Sequence, residues 1–247
     1  MLQVTVTPAM GKRLIAKGMV QHPSIRRVLE KGTLLILGGW TNGDVAEEIL
    51  TSLGQTDGFK RVGFRRGLTV PPGAAAPQLD FPGDVVIRAG EPVQGSNIFD
   101  MGPKLRAGDV VLKGGNAFDA RRQPAVQIGS NVGGTALAAV STVIGRRIEL
   151  IVPIGMEKRV FGDVYELALL TNASDGDGPG YFPLPGTIFT EIDAIQALTG
   201  AEATMIASGG VYGAEGAIWL IVKGTEEQLA AAKALIDSVA DEPPCEA

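Results

Sequence analysis

Short runs of apolar residues bounded by glycine and aspartate alternate along this chain with stretches in which apolar positions return every three or four residues. The first pattern fits buried strands and the second amphipathic helices, so their alternation predicts an α/β architecture. Residues 21–31 read as a helix, with Pro23 near its start, Ile25, Val28 and Leu29 at helical spacing, and Gly32 as its stop. TLLIL, residues 33–37, is apolar at every position, as a strand buried on both faces requires. It runs into Gly38, Gly39, Trp40, Thr41, Asn42 and Gly43, and a helix is expected at residues 44–53. Strand, glycine turn and helix make the opening of a parallel α/β unit.

DVVIR, residues 84–88, and DVVLK, residues 109–113, repeat one pattern and predict two similar strands. Residues 125–128 form a short strand leading into a second turn, Gly129, Ser130, Asn131, Val132, Gly133, Gly134 and Thr135. A helix of small residues at 136–144 and a strand at 148–154 complete a second unit. Residues 67–78 read as an irregular loop beside Lys60, Arg61, Arg65 and Arg66. TNASDGDGPGYFPLP, residues 171–185, reads as a linker. It divides an α/β ligand-binding domain, residues 1–175, from a small α+β module, residues 187–247. Within the module, helices are expected at 191–199 and 225–239, the second capped by Thr225, and strands at 203–208 and 217–222 (AIWLIV). The expected architecture is therefore a parallel-rich sheet sandwiched by helices, with a small C-terminal module.

Composition narrows the chemistry. Glycine supplies 34 of 247 residues, about 14% against a usual 7%, so backbone turns carry unusual weight. The only cysteine, Cys245, and the only histidine, His22, exclude an intrachain disulfide, a cysteine metal cluster and most histidine-based triads and zinc sites. His22 beside Pro23 reads as a local cap or surface residue. A net charge of −5 argues against nucleic-acid backbone binding as the main role. No apolar run reaches the ~20 residues of a membrane helix, and the first residues lack the order of a signal peptide, so a cytoplasmic protein without a membrane partner is expected. No metal and no cofactor is expected; SDGDG, with Asp175 and Asp177, lacks the remaining spacing of a calcium loop.

The candidate chemistry lies where strands end. In parallel sheets ligands collect at the carboxyl ends of strands, beside helix N-termini whose free N–H groups favour anions. The first turn offers Gly38, Gly39, Thr41, Asn42 and Gly43 for this, and the second Gly129, Ser130, Asn131, Gly133, Gly134 and Thr135. Each can equally be a tight packing turn. Neither carries a Walker lysine or a GxGxxG fingerprint. Lys113, followed by Gly114, Gly115 and Asn116, is placed to hold an anionic substrate, and Asp119 or Glu157 to move a proton. The bland alternatives are a solvated lysine, a turn aspartate, and a Glu157 paired at the surface with Lys158 and Arg159.

DVVLKGGNAFD, residues 109–119, resembles the Lys-Gly-Gly stretch of the ribose-5-phosphate isomerases. Residues 116–130 are similar to the corresponding segment of methylthioribose-1-phosphate isomerase and initiation factor 2B relatives, and LGGWTNGDVAEEI, residues 37–49, to the early phosphate-binding turn of the isomerase and CoA-transferase fold. The resemblance covers residues 33–160. It implies a parallel-rich sandwich and a sugar phosphate or acyl-CoA ligand. The Gly-Ala-Asp carboxylates of those families are absent, and an amide, Asn116, stands where one branch has its aspartate. Two readings follow: an isomerase-like enzyme in which Lys113 holds the anion and Asp119 or Glu157 transfers the proton, or a non-catalytic metabolite-binding protein that forms a homo-oligomer through its C-terminal module, using the edge of AIWLIV.

Overall fold

A computed structural model describes residues 1–64, 67–73 and 83–244. Arg65, Arg66 and residues 74–78 of the expected loop lie outside the described residues, as does Cys245. Among the described residues the elements run β1 (Leu2–Val6), α1 (Pro8–Gln21), α2 (Pro23–Glu30), β2 (Thr33–Ile36), α3 (Trp40–Ser52), β3 (Val85–Arg88), β4 (Glu91–Pro92), α4 (Ile98–Met101), β5 (Val110–Leu112), β6 (Ala117–Phe118) and β7 (Pro124–Ile128). They continue with α5 (Gly134–Arg146), β8 (Glu149–Pro153), α6 (Val164–Thr171), β9 (Gly180–Pro183), β10 (Thr187–Phe189), α7 (Glu191–Thr199), β11 (Glu202–Gly209), β12 (Ala217–Lys223) and α8 (Glu226–Asp237).

The central sheet has six strands in the order β10-β8-β5-β2-β3-β4. The first four are parallel, and β3 and β4 add an antiparallel edge. Its central strands β2 and β5 are buried along their whole length because both faces are covered, as TLLIL requires. Leu34, Ile36, Val110 and Leu112 face one core with Ile15, Ile25, Val45 and Ile49 of α1, α2 and α3. Leu35, Val111 and Val152 face the other with Ile98, Ala139 and Val143 of α4 and α5. The protein is thus a mixed α/β fold with helices on both sides of a six-stranded sheet.

The two Gly-Asp aspartates work as splints. Asp109 accepts the N–H groups of Thr33 at 2.7 Å and Arg106 at 2.8 Å, and Asp84 those of Gly38 at 3.0 Å and Ile98 at 2.9 Å. A buried carboxylate bridging two amides fixes the start of its own strand to a neighbouring segment. The two strands nonetheless differ: β5 is central and parallel to β2, whereas β3 is antiparallel to it.

Several expectations change. The helix expected from residue 44 begins at Trp40, so the first glycine turn shrinks to Gly38 and Gly39. Strand β7 is not in the central sheet but in a separate antiparallel sheet, β6-β7-β9, so the second strand–turn–helix unit is not a parallel βαβ unit. Residues 171–185, expected as a linker, contain β9, which pairs with β7 from Ala125↔Pro183 to Ile128↔Gly180. Strand β10 extends the central sheet beside β8, and α7 packs on α1 through Ala194, which approaches Gly18 so closely that a Cβ there would lie 2.7 Å away. The AIWLIV strand has no free edge, because β12 is the middle strand of an antiparallel sheet between β1 and β11.

A buried ion cluster ties the end of the chain to this frame. Arg13 of α1 reaches Glu47 at 2.6 Å, Glu48 at 2.9 Å, Asp44 at 3.4 Å and Glu242 through two bonds of 3.0 Å. Arg61 bonds both Asp44 and Glu242. Burial raises the Asp44 carboxyl above its usual value, although both guanidinium groups oppose the shift. For Glu242 the burial cost is outweighed by its bonds to Arg13 and Arg61, and its pKa falls.

Candidate functional site

Four parallel strands deliver their carboxyl ends to one edge of the central sheet. Strand β2 ends in Gly38 and Gly39, β5 in Lys113 and Gly114, β8 in the single 3-10 turn Met156–Lys158, and β10 in Thr190 and Glu191. This is the edge where parallel sheets place their ligands. Asp84 pins Gly38, and the Gly39 N–H donates to the carbonyl of Phe64 at 2.9 Å, so the β2 terminus is fixed.

Glu191 is the most deeply buried acid of the edge, 2% exposed. It occupies the first position of α7 after Thr190, whose capping box with Asp193 sets the helix start. One of its oxygens accepts the Met156 N–H at 3.0 Å, and the other faces α1 at Gly11, where a Cβ would overlap it. Burial first, and then the charge of Glu157, push the Glu191 carboxyl up to about 8. It therefore holds a proton at neutral pH.

Lys12 and Lys158 act on this acid, and Lys113 in turn senses Lys158. Burial, and next the charge of Lys158, bring Lys113 down to about 8. Burial also lowers Lys158, against the opposing charge of Glu157. Lys12 lies 5.1 Å from the centre of the Trp40 ring and donates to the Pro8 carbonyl at 3.0 Å. The Lys113 ammonium donates to the carbonyl of Gly114 at 3.0 Å. Among the described residues, none of the three forms an ion pair with a carboxylate. With Glu191 neutral and Glu157 the facing carboxylate, this edge is positively charged near pH 7, which favours an anion.

Of the residues expected here, Lys113, Glu157, Gly38, Gly39 and Gly114 do meet at this edge. Lys158, taken as a surface partner of Glu157, is half-buried within it. Thr41, Asn42 and Gly43 do not open toward a ligand: they lie inside α3, and the Asn42 amide donates to the carbonyls of Leu37 at 2.8 Å and Leu112 at 3.2 Å. That bond pair stitches β2 to β5. Gly43 packs on Arg61, and Gly115 fits under Ile154, where a Cβ would lie 2.9 Å away.

Asp119 and Asn116 belong to the β6–β7 hairpin. One Asp119 oxygen accepts the N–H groups of Arg121 at 2.9 Å and Gln123 at 3.0 Å, and Asn116 accepts from Gln127 at 3.1 Å. These are turn-closing bonds.

The second glycine turn lines a cavity of about 490 Å³ with Leu137, Asn172 and Tyr181. Gly133, at φ +77, precedes α5 without a side-chain cap, so Gly129, Ser130, Asn131, Gly133, Gly134 and Thr135 do gather at a helix N-terminus. Yet among the described residues Tyr181 is the one titratable group of that lining. Its hydroxyl, raised by burial and by Asp119, belongs to a residue packed with Ala117, Ala125 and Val164. Asn172 is occupied by both backbone groups of Tyr181. The larger cavity is therefore poor in acid–base groups, and the chemistry concentrates at the lysine edge.

Glu191, Lys12 and Trp40 were not expected in the site. Glu191 had a signal, since it lies two residues after the apolar TIF, residues 187–189, but no strand was expected there. No family model, no curated protein and no solved structure matches this chain.

Proposed function

We propose that this protein is an enzyme that binds a small anionic metabolite, of sugar phosphate or acyl-CoA type, at the carboxyl edge of its parallel strands and moves a proton there. The observation that carries the reading is a run of lysines at this edge, Lys12 and Lys158 acting on the buried Glu191 and Lys113 on Lys158, none of them ion-paired among the described residues. An anion would supply the missing countercharge, and desolvated ammonium groups bind it more strongly than exposed ones. A carboxyl whose pKa lies near working pH is suited to give and take a proton, as isomerisation of a carbonyl compound requires. Glu191, with Glu157 beside it, takes the part first given to Asp119, whose Oδ1 closes its own turn and whose Oδ2 accepts the Val164 N–H at 3.5 Å.

The competing reading, a non-catalytic assembly protein, leaned on the edge of AIWLIV, which β1 and β11 occupy. The discriminating experiment is a thermal-shift series with ribose 5-phosphate, inorganic phosphate and acetyl-CoA, where ligand at 100 times Kd adds about 2.7 kcal/mol. A shift with one class, abolished in Lys113→Ala, is the expected result. An undiminished shift in Lys113→Ala removes this site from the proposal.

A further inference from the structure

The reading above leaves open what the substrate carries besides its charge, and Lys113 bears on that question. Its Cα is held rigidly, because it follows Val110–Leu112, three fully buried residues hydrogen-bonded to strands on both sides. Among the described residues its amine has one polar contact, the Gly114 carbonyl, and no carboxylate partner. The space beside it is open: a Cβ on Gly39 or on Gly114 would meet nothing within 4 Å. The charge acting on it most strongly is that of another amine, Lys158, and the acid that opposes it, Asp84, spends both oxygens on backbone amides. Desolvation beside a second cation is the environment that makes a lysine nucleophilic.

Resting on the anion-site reading, we propose that Lys113 forms an imine with an aldehyde or ketone group of an anionic substrate, with Lys158 as the neighbouring acid. The Lys113 nitrogen lone pair adds to the carbonyl carbon, the C=O π pair moves to oxygen, and a proton passes from nitrogen to that oxygen. The ammonium of Lys158 then protonates the hydroxyl, the nitrogen pair closes the C=N bond, and water leaves. Lys158 recovers its proton from the iminium nitrogen, so amine and carbonyl become imine and water with no redox change. At about 8, roughly one Lys113 in ten is neutral at pH 7, against roughly one in 2,500 for an ordinary lysine.

The test uses pyridoxal 5′-phosphate, an aldehyde bearing a phosphate, at substoichiometric concentration and pH 7, followed by borohydride reduction and peptide mapping. Lys113 is expected to carry at least about tenfold more adduct than any other lysine, as its larger neutral fraction dictates. Ribose 5-phosphate should compete, and Lys113→Arg should lose the adduct. Adduct spread over surface lysines, or centred on Lys12 or Lys158, overturns the proposal. A phosphate-induced thermal shift in the same preparation separates the two readings. A shift without Lys113 adduct overturns the imine and leaves the anion site, whereas absence of both overturns both.

Discussion

The carboxyl group of Glu191 lies against α1 at a place where a side chain is missing: a Cβ on Gly11 would overlap its Oε1. Helix α1 and the end of β10 therefore meet through an acid packed onto bare backbone. Glycine inside a helix ordinarily costs about 1 kcal/mol relative to alanine, so Gly11→Ala should stabilise an unconstrained helix. Here it is expected to destabilise by about 1–3 kcal/mol, the range for overpacking. Denaturant unfolding checks this, and the double change Gly11→Ala with Glu191→Ala should recover most of the loss. A Gly11→Ala protein as stable as the parent would contradict the contact.

Glu191 also sets a pH dependence. Its pKa rises from 4.5 to about 8 on folding, so between those values the folded protein holds a proton that the unfolded chain has released. Stability from this group is full below 4.5 and falls as pH rises through the window. Glu191→Gln should flatten the curve and exceed the parent at pH 8 by at least about 1 kcal/mol, or ~2–4 °C in Tm. Parallel Tm–pH curves for the two proteins would count against a protonated Glu191.

Lys158 and Lys113 give a second electrostatic readout. Removing the neighbouring cation in Lys158→Met should raise Lys113, because the burial cost is then opposed by the charge of Asp84 and no longer joined by that of Lys158. The pH at which Lys113 reacts with pyridoxal 5′-phosphate should rise accordingly. An unchanged profile would show that the two amines do not sense each other.

How far the sequence disclosed this arrangement depends on whether local signals or distant partners decide each feature. TLLIL, ELIVP and the capped helix at Glu226–Asp237 were legible because burial on both faces and an N-cap threonine leave local patterns. Lys113 and Glu157 were legible as strand-end residues. Helix α1 was not, since its two glycines, Gly11 and Gly18, lower helix propensity and are explained only by Glu191 and Ala194, far along the chain. Asp119 misled because an aspartate closing a hairpin and an aspartate in a site share the same neighbours in sequence. Strand β7 misled because its glycine turn and helix follow equally from an antiparallel strand.

The ion cluster at Arg13 predicts the effect of changing Glu242. Glu242→Gln keeps the shape but removes the charge facing Arg13 and Arg61, and should cost about 1–3 kcal/mol, as a lost charged hydrogen bond does. Because its folded pKa lies below the usual 4.5, this contribution is full above that pH and lost as pH falls through the lower value. The difference between parent and variant should therefore shrink in acid. A gap that persists at low pH would assign the loss to packing instead.

Strand β1 lies beside β12, with Leu2 opposite Val222, and Arg13 closes on Glu242. During synthesis the first strand and helix leave the ribosome long before their partners exist. Glu191, the acid that fills the gap over Gly11, is also made late. The lysine edge thus stays unfinished while the chain grows, and is complete only once Glu191 and the strand that enters between β1 and β11 have been made.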